Sequence, residues 1–441
     1  MKNPGNGTVR ARLLRALALA SELEHGLCLQ YLFTALSLKT GLEEGGLQLA
    51  ELNIVRKWRG TLFFIAAQEM LHLAQAANIA AALGSGLHID RPNFPQRPSY
   101  YPTGLPWGLW PMSPSVLVLY ALYERPSDSG EKASPAWLPE TGQLQAQHAM
   151  AFWQDAPGLK DPFAHLPEHF DRPAASPHLS IAALYQQIAE DLRELGQAGF
   201  VGPAGAQVGP DLMDMPQLLP ILTLQQALDG VRLITLQGEG SPIDRVDSHF
   251  GLFVRMYEEY QSLRDARPEF APVRDVQSNP LSRLHVDNTY PGWRLIQDPL
   301  TRHVNDLCSG VYVLMLDALQ QVFSDPRGDK AWQARMADLS LRLMTTVLAP
   351  LGDMLTRLPM GDVSPGAAQR AKCAGPSFEL DAVRAPIAHG EAAWPAFRAA
   401  LLMWSEEALQ LAERCKTHEA HLWAATPLSA VAATLVEMTA P

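Results

Sequence analysis

Apolar residues recur at helical spacing along most of this 441-residue chain, and no stretch shows the sustained alternation that is typical of a half-buried strand. The pattern therefore predicts an all-α protein. The predicted helices cover residues 8–39, 58–84, 176–199, 222–242, 247–265, 303–323, 330–358 and 394–415. A chain of this length suggests two or three domains. An irregular, proline-containing stretch at 266–300 divides the helices into a first group at 1–265 and a second group at 301–441.

A segment rich in proline and tryptophan interrupts the first group between residues 90 and 175. Between residues 92 and 173 lie 14 of the 35 prolines and four of the ten tryptophans, and proline cannot continue a regular helix. The aromatic residues favour an ordered cap over a disordered linker, and we expect such a cap to close a substrate pocket. Within it, the apolar run 113–126 predicts one helix or strand that carries a spare carboxylate, Glu124.

The composition narrows the possible functions. Apolar residues make up 47% of the chain and charged residues 18%, which is typical of a soluble globular protein, and the net charge of −11 argues against nucleic acid or an anionic membrane as a partner. The four cysteines are widely spaced and form neither a disulfide framework nor a zinc-ribbon pattern, so we expect a reducing, cytoplasmic location. No run approaches the roughly 20 uninterrupted apolar residues of a membrane-spanning helix. The N-terminal sequence LLRALALAS is similar to the apolar part of a signal peptide, but Arg15 interrupts it. We therefore interpret this segment as the start of an amphipathic helix.

The candidate chemistry begins with Glu69 and His72, which lie in the middle of the apolar helix predicted at 58–84. Two residues three positions apart are about 60° apart around an α-helix and about 4.5 Å apart along it, so both can bind one metal ion. This spacing also arises by chance, and Glu22 with His25 is a second example in this chain. A metal site therefore requires further ligands from other helices.

Glu24 is a second unusual carboxylate, because it lies inside the first predicted helix beside Leu27, Cys28 and Tyr31. A buried and unpaired carboxylate is costly, which leaves three interpretations: a salt bridge, a different orientation of the helix, or a metal ligand. Cys28 and Tyr31 on the same face could be redox-active near a metal or could be ordinary core residues.

The rest of the chain supplies a matching set of ligands. Glu24 and Glu69 are 45 residues apart, Glu190 and Glu239 are 49 residues apart, and a histidine follows each pair. A ferritin-like four-helix bundle uses this set: one Glu from each of two helices, and a Glu with a His from each of the other two. The predicted metal ligands, which are also the predicted catalytic residues, are Glu24, Glu69, His72, Glu190, Glu239 and His249.

Four carboxylates that converge in this way require cations. At a separation of about 4 Å and an effective dielectric constant of about 20, each close pair repels by roughly 4 kcal/mol, and two divalent ions would cancel the four charges. Mixed carboxylate and imidazole ligands that leave coordination positions open suit iron or manganese, which can then react with dioxygen. Structural zinc instead prefers cysteine-rich sites in which the protein fills every coordination position. The expected cofactors are therefore two iron ions, with manganese as an alternative, and O2 as co-substrate.

The second Glu and His pair departs from the ferritin-like pattern, because Glu239 and His249 are ten positions apart. On one straight helix this spacing would separate them by about 15 Å and turn them to different faces. The sequence GEGSP between them supplies a break in the helix that would allow both residues to reach one metal ion. Asp244 and Asp247 are the local substitutes if Glu239 is not a ligand.

Four motifs carry a resemblance to a known family: ELEHGLCLQYLFTALSL, QEMLHLAQAANIAAALG, LYQQIAEDL and LQGEGSPIDRVDSHF. They are similar to the ferritin-like family that includes the iminophenyl-pyruvate dimer synthase domain of violacein biosynthesis and its indolocarbazole-pathway relatives. The later motifs PLGDMLTRLPMG and AGPSFEL extend the resemblance over most of the chain. The resemblance implies iron-dependent oxidation in bacterial secondary metabolism, in which imines derived from aromatic amino acids are coupled. It also implies that the six predicted ligands occupy the matching positions.

Together these features predict a ferritin-like four-helix bundle with a long Pro/Trp-rich insertion and a C-terminal helical region. The predicted function is a non-haem di-metal oxidase or oxygenase that acts on a small amino-acid-derived molecule. Two alternatives stay open: oxidative coupling of aryl-pyruvate imines, and an iron-storage or metal-binding scaffold protein. The expected partners are a small-molecule substrate and either a second copy of the chain or another enzyme of its pathway. Neither nucleic acid nor a membrane is expected.

Overall fold

The fold is known from a computed structural model, and almost all of its described residues that belong to regular structure are helical. The described residues are 5–96, 107–126, 135, 137–138, 181–238, 247–283, 294–323, 329–361, 372–381 and 387–440. Within these ranges the only strands are a short parallel pair, β1 (Pro280–Leu281) and β2 (Arg294–Leu295). The prediction of an all-α protein is confirmed.

The helices fall into two groups along the chain, as the apolar pattern predicted. The first group is α1 (Gly5–Leu36), α2 (Leu49–Ala82), α3 (Pro114–Tyr123), α4 (Ile181–Leu195), α5 (Leu224–Gln237) and α6 (His249–Ala266). The second group is α7 (Pro299–Phe323), α8 (Lys330–Arg342), α9 (Ala349–Leu355), α10 (Trp394–Lys416) and α11 (Ala425–Glu437). Short 3-10 turns lie at Leu42–Glu44, Gln197–Gly199, Ala204–Ala206, Gly390–Ala393 and Glu419–Ala424.

The long helices α1 and α2 pack against each other over much of their length. Glu51 in the first turn of α2 accepts the backbone N–H of Gln48 at 2.7 Å, which stabilises the start of the helix. The same carboxylate binds Arg267, just beyond the end of α6, with 2.5 Å between Nη2 and Oε2. One acidic residue therefore fixes both the start of α2 and the end of α6.

The short helix α3 completes a four-helix bundle with α1, α2 and α6. Ser113 caps α3 by accepting the N–H of Val116 at 3.2 Å, and from Val116 onward every residue of the helix is buried. The rings of Tyr31, Tyr120 and Phe253, which belong to α1, α3 and α6, have pairwise centroid distances of 4.7, 5.1 and 5.4 Å. This aromatic cluster holds three of the four helices together.

The helices α4 and α5 cover one side of the bundle. Asp191 of α4 accepts two hydrogen bonds from Arg12 of α1, at 2.7 and 2.8 Å. Gly230 brings α5 so close to α2 that a Cβ atom at position 230 would lie 2.9 Å from Nε2 of Gln75. Each covering helix is thus fixed to one of the two long helices.

One helix that carries a converging side chain, α3, was not among those on which metal ligands were predicted. The predicted ligands lie on the helices at 8–39, 58–84, 176–199, 222–242 and 247–265, whereas α3 comes from the segment predicted as a cap. The helix α3 is apolar on all sides and shows no periodicity, so its pattern could not distinguish a helix from a strand. The expected cap stays a prediction, because most of 90–175 lies outside the described residues.

The second group of helices packs on the outer faces of α1 and α2. Helix α7 contacts α8, α9 and α10. Gly310 of α7 makes the approach of α10 possible, since a Cβ atom at this position would lie 2.0 Å from the Trp404 ring. The helix predicted at 330–358 is one continuous helix in which α8 and α9 are joined by a π-helical segment, Leu343–Leu348. Helix α11, which the sequence pattern did not predict, pairs with α10.

Two large apolar cores result from this arrangement, besides a small cluster of Ile296, Met360 and Ala374. One lies inside the bundle, and the other lies between the bundle and the C-terminal helices, where Leu29 and Phe33 of α1 meet Leu316 of α7. The division of the chain at 266–300 stays a prediction, because apolar packing continues across it. None of the described helices is both long and apolar enough to cross a membrane.

Candidate metal centre

Five acidic and imidazole side chains converge inside the bundle. Glu24, Glu69, His72, Glu124 and His249 are each at most 1% exposed. They form two overlapping groups, Glu24 with Glu69 and His72, and Glu69 with Glu124 and His249. In each group the potential ligand atoms all lie within 4.8 Å of one another. Glu69 belongs to both groups and therefore lies at the middle of the cluster.

Four different helices supply these side chains. Glu69 and His72 lie one turn apart on α2, and Nδ1 of His72 is 2.9 Å from Oε2 of Glu69 and 3.6 Å from Oε2 of Glu24 on α1. Glu124 follows the last residue of α3, where its backbone N–H donates to the Tyr120 carbonyl at 3.1 Å. Each ligand position thus results from ordinary helix geometry.

His249 is the first residue of α6, and Ser248 before it caps the helix by accepting the N–H of Gly251 at 3.2 Å. Nδ1 of His249 lies 3.0 Å from Oε1 of Glu69 and 3.4 Å from Oε2 of Glu124. The two oxygens of Glu69 therefore face different histidines, Oε2 towards His72 and Oε1 towards His249.

Two glutamines orient the imidazole rings from outside the cluster. Nε2 of His72 lies 3.1 Å from Oε1 of Gln237, and Nε2 of His249 lies 2.9 Å from Oε1 of Gln68. The amide nitrogen of Gln237 donates to Gln217, which turns its carbonyl oxygen towards His72. An amide oxygen can only accept, so Nε2 of each ring carries the hydrogen and Nδ1 of the neutral ring is the atom available to a metal ion.

Two tyrosines bind the outer oxygens of the carboxylates. The hydroxyl of Tyr31 donates to Oε1 of Glu124 at 2.5 Å, and the hydroxyl of Tyr185 on α4 donates to Oε1 of Glu24. Burial, together with the charge of Glu124, raises the pKa of Tyr31 well above its usual range, so this hydroxyl stays protonated and donates. The remaining oxygen of each carboxylate, Oε2, faces the cluster.

The inward-facing atoms are those that a metal ion would bind. Among the described residues, Oε2 of Glu24, Oε1 of Glu69, Oε2 of Glu124 and Nδ1 of His249 make no hydrogen bond of acceptable geometry, although Nδ1 of His249 lies 3.0 and 3.4 Å from two of these oxygens. A buried polar atom without a partner costs about 1–3 kcal/mol, and more for a charged group. Four such atoms in one cluster fit a pair of cations, and carboxylate oxygens with imidazole nitrogens are a suitable donor set for iron or manganese.

Their surroundings raise the pKa values of three of the five converging side chains. Burial raises the pKa of Glu24 to about 7, and the charge of Glu69 acts in the same direction. Burial alone would lower the pKa of His249, but the charges of Glu69 and Glu124 raise it to about 9. Burial would also lower the pKa of His72, but hydrogen bonding to Glu24 and Glu69 and their charges raise it well above its usual value. Metal ions would therefore replace protons that the cluster holds at neutral pH.

The comparison with protein families agrees with this geometry. A family model described as ferritin-like matches residues 17–261, which is more than half of the chain and contains all five converging side chains. This chain belongs to the ferritin-like family.

Two curated proteins are similar to this ferritin-like chain. Dichlorochromopyrrolate synthase of Lentzea aerocolonigenes is 24% identical over 411 residues, which cover 85% of this chain and 36% of that protein. The 2-imino-3-(indol-3-yl)propanoate dimerase of Chromobacterium violaceum is 23% identical over 368 residues, which cover 80% of this chain and 33% of that protein. The chain thus spans about a third of the length of these relatives. No solved structure matches it.

The structure does not bring Glu190 to the ferritin-like cluster, which corrects the expectation that its side chain points inward. The side chain is exposed on α4. Tyr185 of the same helix points into the bundle, and a residue five positions later is turned by about 140° around the axis. Asp191 is buried beside Glu190, but it pairs with Arg12. Helix α4 therefore contributes a tyrosine to the centre where a carboxylate was predicted.

Glu239 lies outside the described residues, so its assignment as a ligand stays a prediction. Gly238 directly before it lies against the centre, since a Cβ atom there would be 3.1 Å from Oε2 of Glu124 and 3.5 Å from Nδ1 of His249. The suggested substitute Asp247 is exposed, and Asp244 lies outside the described residues. The chain at the end of α5 therefore passes beside the cluster without a side chain at position 238.

Sequence reasoning missed the role of Glu124, although it noted the residue as a spare carboxylate. The signal was a carboxylate at the end of a fully apolar run, which resembles the context of Glu24. It also missed Gln68 and Gln237, because a glutamine on a partly exposed helix face carries no distinctive pattern. The positions of these three residues beside the cluster become apparent only when the packing of the helices is known.

Proposed function

We propose that this ferritin-like chain is a metal-dependent oxidative enzyme that acts on a small amino-acid-derived molecule and uses dioxygen as the oxidant. The observation that carries the proposal is the group of inward-facing atoms of Glu24, Glu69, Glu124 and His249 that make no hydrogen bond of acceptable geometry among the described residues. The names of both relatives, a synthase and a dimerase, support an enzymatic rather than an iron-storage function.

Five residues would hold two metal ions. Glu24 and His72 would hold one ion and Glu124 and His249 the other, and Glu69, whose two oxygens face the two histidines, would contribute to both. Three carboxylates leave a net charge of about +1 on two divalent ions, so further anionic or neutral ligands can join. Glu239 is retained as one such candidate. When bound, a pair of iron ions, or iron with manganese, supplies one-electron redox chemistry and the reduction of dioxygen.

The protein residues position the ligands and keep water away from them. Gln68 and Gln237 hold the two imidazoles with Nδ1 towards the centre, and Tyr31 and Tyr185 hold Glu124 and Glu24 by one oxygen each. Since all five ligands are buried, bulk water is excluded and electrostatic interactions are strengthened.

The reaction that we propose in finer detail is oxidative coupling of two imine molecules. The name of one relative describes dimerisation of a 2-imino acid that carries an indole ring. Joining two such molecules, as their enamine tautomers, by one C–C bond releases two electrons and two protons. Dioxygen accepts both and becomes hydrogen peroxide, so atoms and electrons balance.

Metal-dependent oxygen consumption tests the proposal. The protein would be stripped with a chelator and reloaded anaerobically with Fe(II). It would then be supplied with oxygen and with 2-imino acids generated from L-tryptophan or L-phenylalanine by an amino-acid oxidase. We expect oxygen uptake above the oxidase background and a dimeric product by mass spectrometry, both absent in Glu69→Gln and retained in the exposed-site control Glu190→Gln. Full turnover by the stripped protein would contradict the proposal.

A further inference from the structure

A cavity of about 230 Å³ lies between the bundle and the C-terminal helices, separate from the metal centre. Its walls come from the outer faces of α1 and α2, from α7, and from the π-helical segment Leu343–Leu348 with the first residue of α9. The two halves of the chain therefore enclose it together, and neither half forms it alone.

The cavity leads from the surface into the core. Ala67 of α2 and Thr345 and Ala349 on the opposite wall are exposed and form its entrance. Cys28 of α1 and Leu316 of α7 are buried and form its floor. A small molecule could therefore enter from solvent and become largely enclosed by apolar side chains.

The floor of the cavity shares helical turns with the metal ligands. Cys28 lies four residues after Glu24 on α1, and Ala66 and Leu73 lie three residues before and four residues after Glu69 on α2. Four residues correspond to about 6 Å along a helix. The cavity and the metal centre thus lie on neighbouring faces of the same two helices.

The lining excludes a charged ligand. None of the described residues that line the cavity is Asp, Glu, Lys or Arg. The polar pair at its edge is already satisfied, because Nδ1 of His25 donates to the Ile89 carbonyl at 2.9 Å and Nε2 of His25 accepts from the hydroxyl of Tyr312. A charged group placed here would lose its hydration without gaining a partner.

The size and composition of the cavity favour an aromatic ligand. A dry protein cavity of about 150 Å³ is large enough to bind benzene, so this one can admit one ring or two fused rings. Methionine sulfur makes favourable contacts with aromatic rings, and aromatic side chains prefer stacked or edge-on ring partners. Three methionines and three aromatic rings line the cavity: Met70, Met315, Met344, Phe63, Tyr312 and Phe378.

The π-helical segment is a second, independent indication of function. A π-helical turn is rare, occurs mostly as an insertion within an α-helix, and is found frequently at functional sites. Here Met344, Thr345 and Leu348 from this segment face the cavity. The irregular backbone is therefore located where it shapes the wall and entrance of the cavity.

We propose that this cavity is a binding site for a neutral aromatic molecule of one or two fused rings. The proposal does not depend on the metal centre or on the proposed oxidation, because the cavity is complete without metal ions. It can therefore be tested on the full chain after metal removal, and its failure would leave the proposed function untouched.

Calorimetric titration of the metal-stripped protein with indole tests the site. We expect saturable binding of one indole per chain, and at least fivefold weaker binding of two comparison probes, cyclohexanol as a neutral aliphatic ring and indole-3-acetate as a charged aromatic molecule. Absence of saturable binding would overturn the proposal. Equal affinity for cyclohexanol would overturn the assignment to an aromatic ligand, and equal affinity for indole-3-acetate would overturn the assignment to a neutral one.

Substitutions at the entrance locate the bound molecule. Ala67→Phe and Thr345→Phe place a ring at two opposite sides of the entrance, and each should weaken indole binding at least tenfold. Ala334→Phe, at an exposed position of α8 away from the cavity, is the matched control and should stay within twofold of the unsubstituted protein. Circular dichroism and thermal unfolding would establish that each variant is folded. Unchanged indole affinity in both folded entrance variants would place the ligand elsewhere and overturn the proposal.

Discussion

Replacing Glu124 by Gln should weaken the binding of one metal ion and leave the fold intact. The change preserves the shape of the side chain, and the amide oxygen of Gln can still accept the hydrogen bond that Tyr31 donates to Oε1 of Glu124 at 2.5 Å. It removes the negative charge near Oε2, which lies 3.4 Å from Nδ1 of His249 in a fully buried site. The substitution therefore tests the charge of the ligand more than its packing.

The magnitude follows from the burial of the site. At about 4 Å and an effective dielectric constant of about 20, a unit charge and a divalent ion interact by roughly 8 kcal/mol, part of which is offset by desolvation. Removing a residue that only orients a metal ligand already lowers affinity by about 10–100-fold. Loss of a charged ligand should therefore cost at least about a hundredfold, which is about 2.7 kcal/mol in binding free energy.

The assay is an anaerobic titration of metal-stripped protein with Fe(II) in the presence of a competing chelator. Glu190→Gln is the matched control, because it makes the same chemical change on an exposed side chain of α4. We expect two tightly bound ions per chain in the control and one in Glu124→Gln. If Glu124→Gln bound two ions with the same affinity as the Glu190→Gln control, the assignment of Glu124 would be refuted.

Three further predictions concern the surroundings of the ligands. Gln68→Ala and Gln237→Ala should each lower Fe(II) affinity by about 10–100-fold in the same chelator competition, because the imidazoles lose their orientation. Tyr185→Phe leaves Oε1 of Glu24 without its donor, so urea unfolding of the metal-free protein should show a loss of about 1–3 kcal/mol. Metal affinity should fall as pH decreases from 8 to 6, by roughly tenfold per pH unit for each protonated ligand, because the pKa of His249 is raised to about 9. Calorimetry in buffers of different ionisation enthalpy would count the released protons.

Each of these predictions has an outcome that would contradict it. Unchanged Fe(II) affinity in both glutamine variants would mean that the imidazoles need no outer hydrogen bond. An unfolding midpoint of Tyr185→Phe equal to that of the unsubstituted protein would show that Glu24 finds another donor or stays protonated. Metal binding without proton release at pH 7 would mean that His72 and His249 are neutral in the metal-free protein.

The local part of the centre could be predicted from the sequence. Glu69 and His72 lie on one helix, and the 3.6-residue period alone places them on one face, 2.9 Å apart between Nδ1 and Oε2 in the structure. Glu24 was recognisable because a carboxylate surrounded by apolar helical positions has few acceptable environments. Both inferences need only the geometry of a single helix.

The positions of Glu124 and Glu190 relative to the centre could not be predicted in this way. The direction of Glu190 depends on how α4 is rotated about its axis, and the Arg12 and Asp191 pair with the inward-facing Tyr185 shows that rotation. Glu124 reaches the centre only because α3 packs between α1 and α6, and a helix that is apolar on every side carries no pattern that identifies its partner.

The sequence by itself determined the helical fold, the ferritin-like family resemblance and the first half of the metal centre, because these depend on periodicity and on ligand spacing within single helices. Tertiary structure alone decided that α3 packs against α6 beside the cluster, that the side chain of Glu124 lies in the cluster while that of Glu190 is exposed, and that an aromatic-lined cavity lies between the two halves of the chain. These features arise from contacts between helices that are far apart in the sequence, where the orientation of each helix depends on its neighbours.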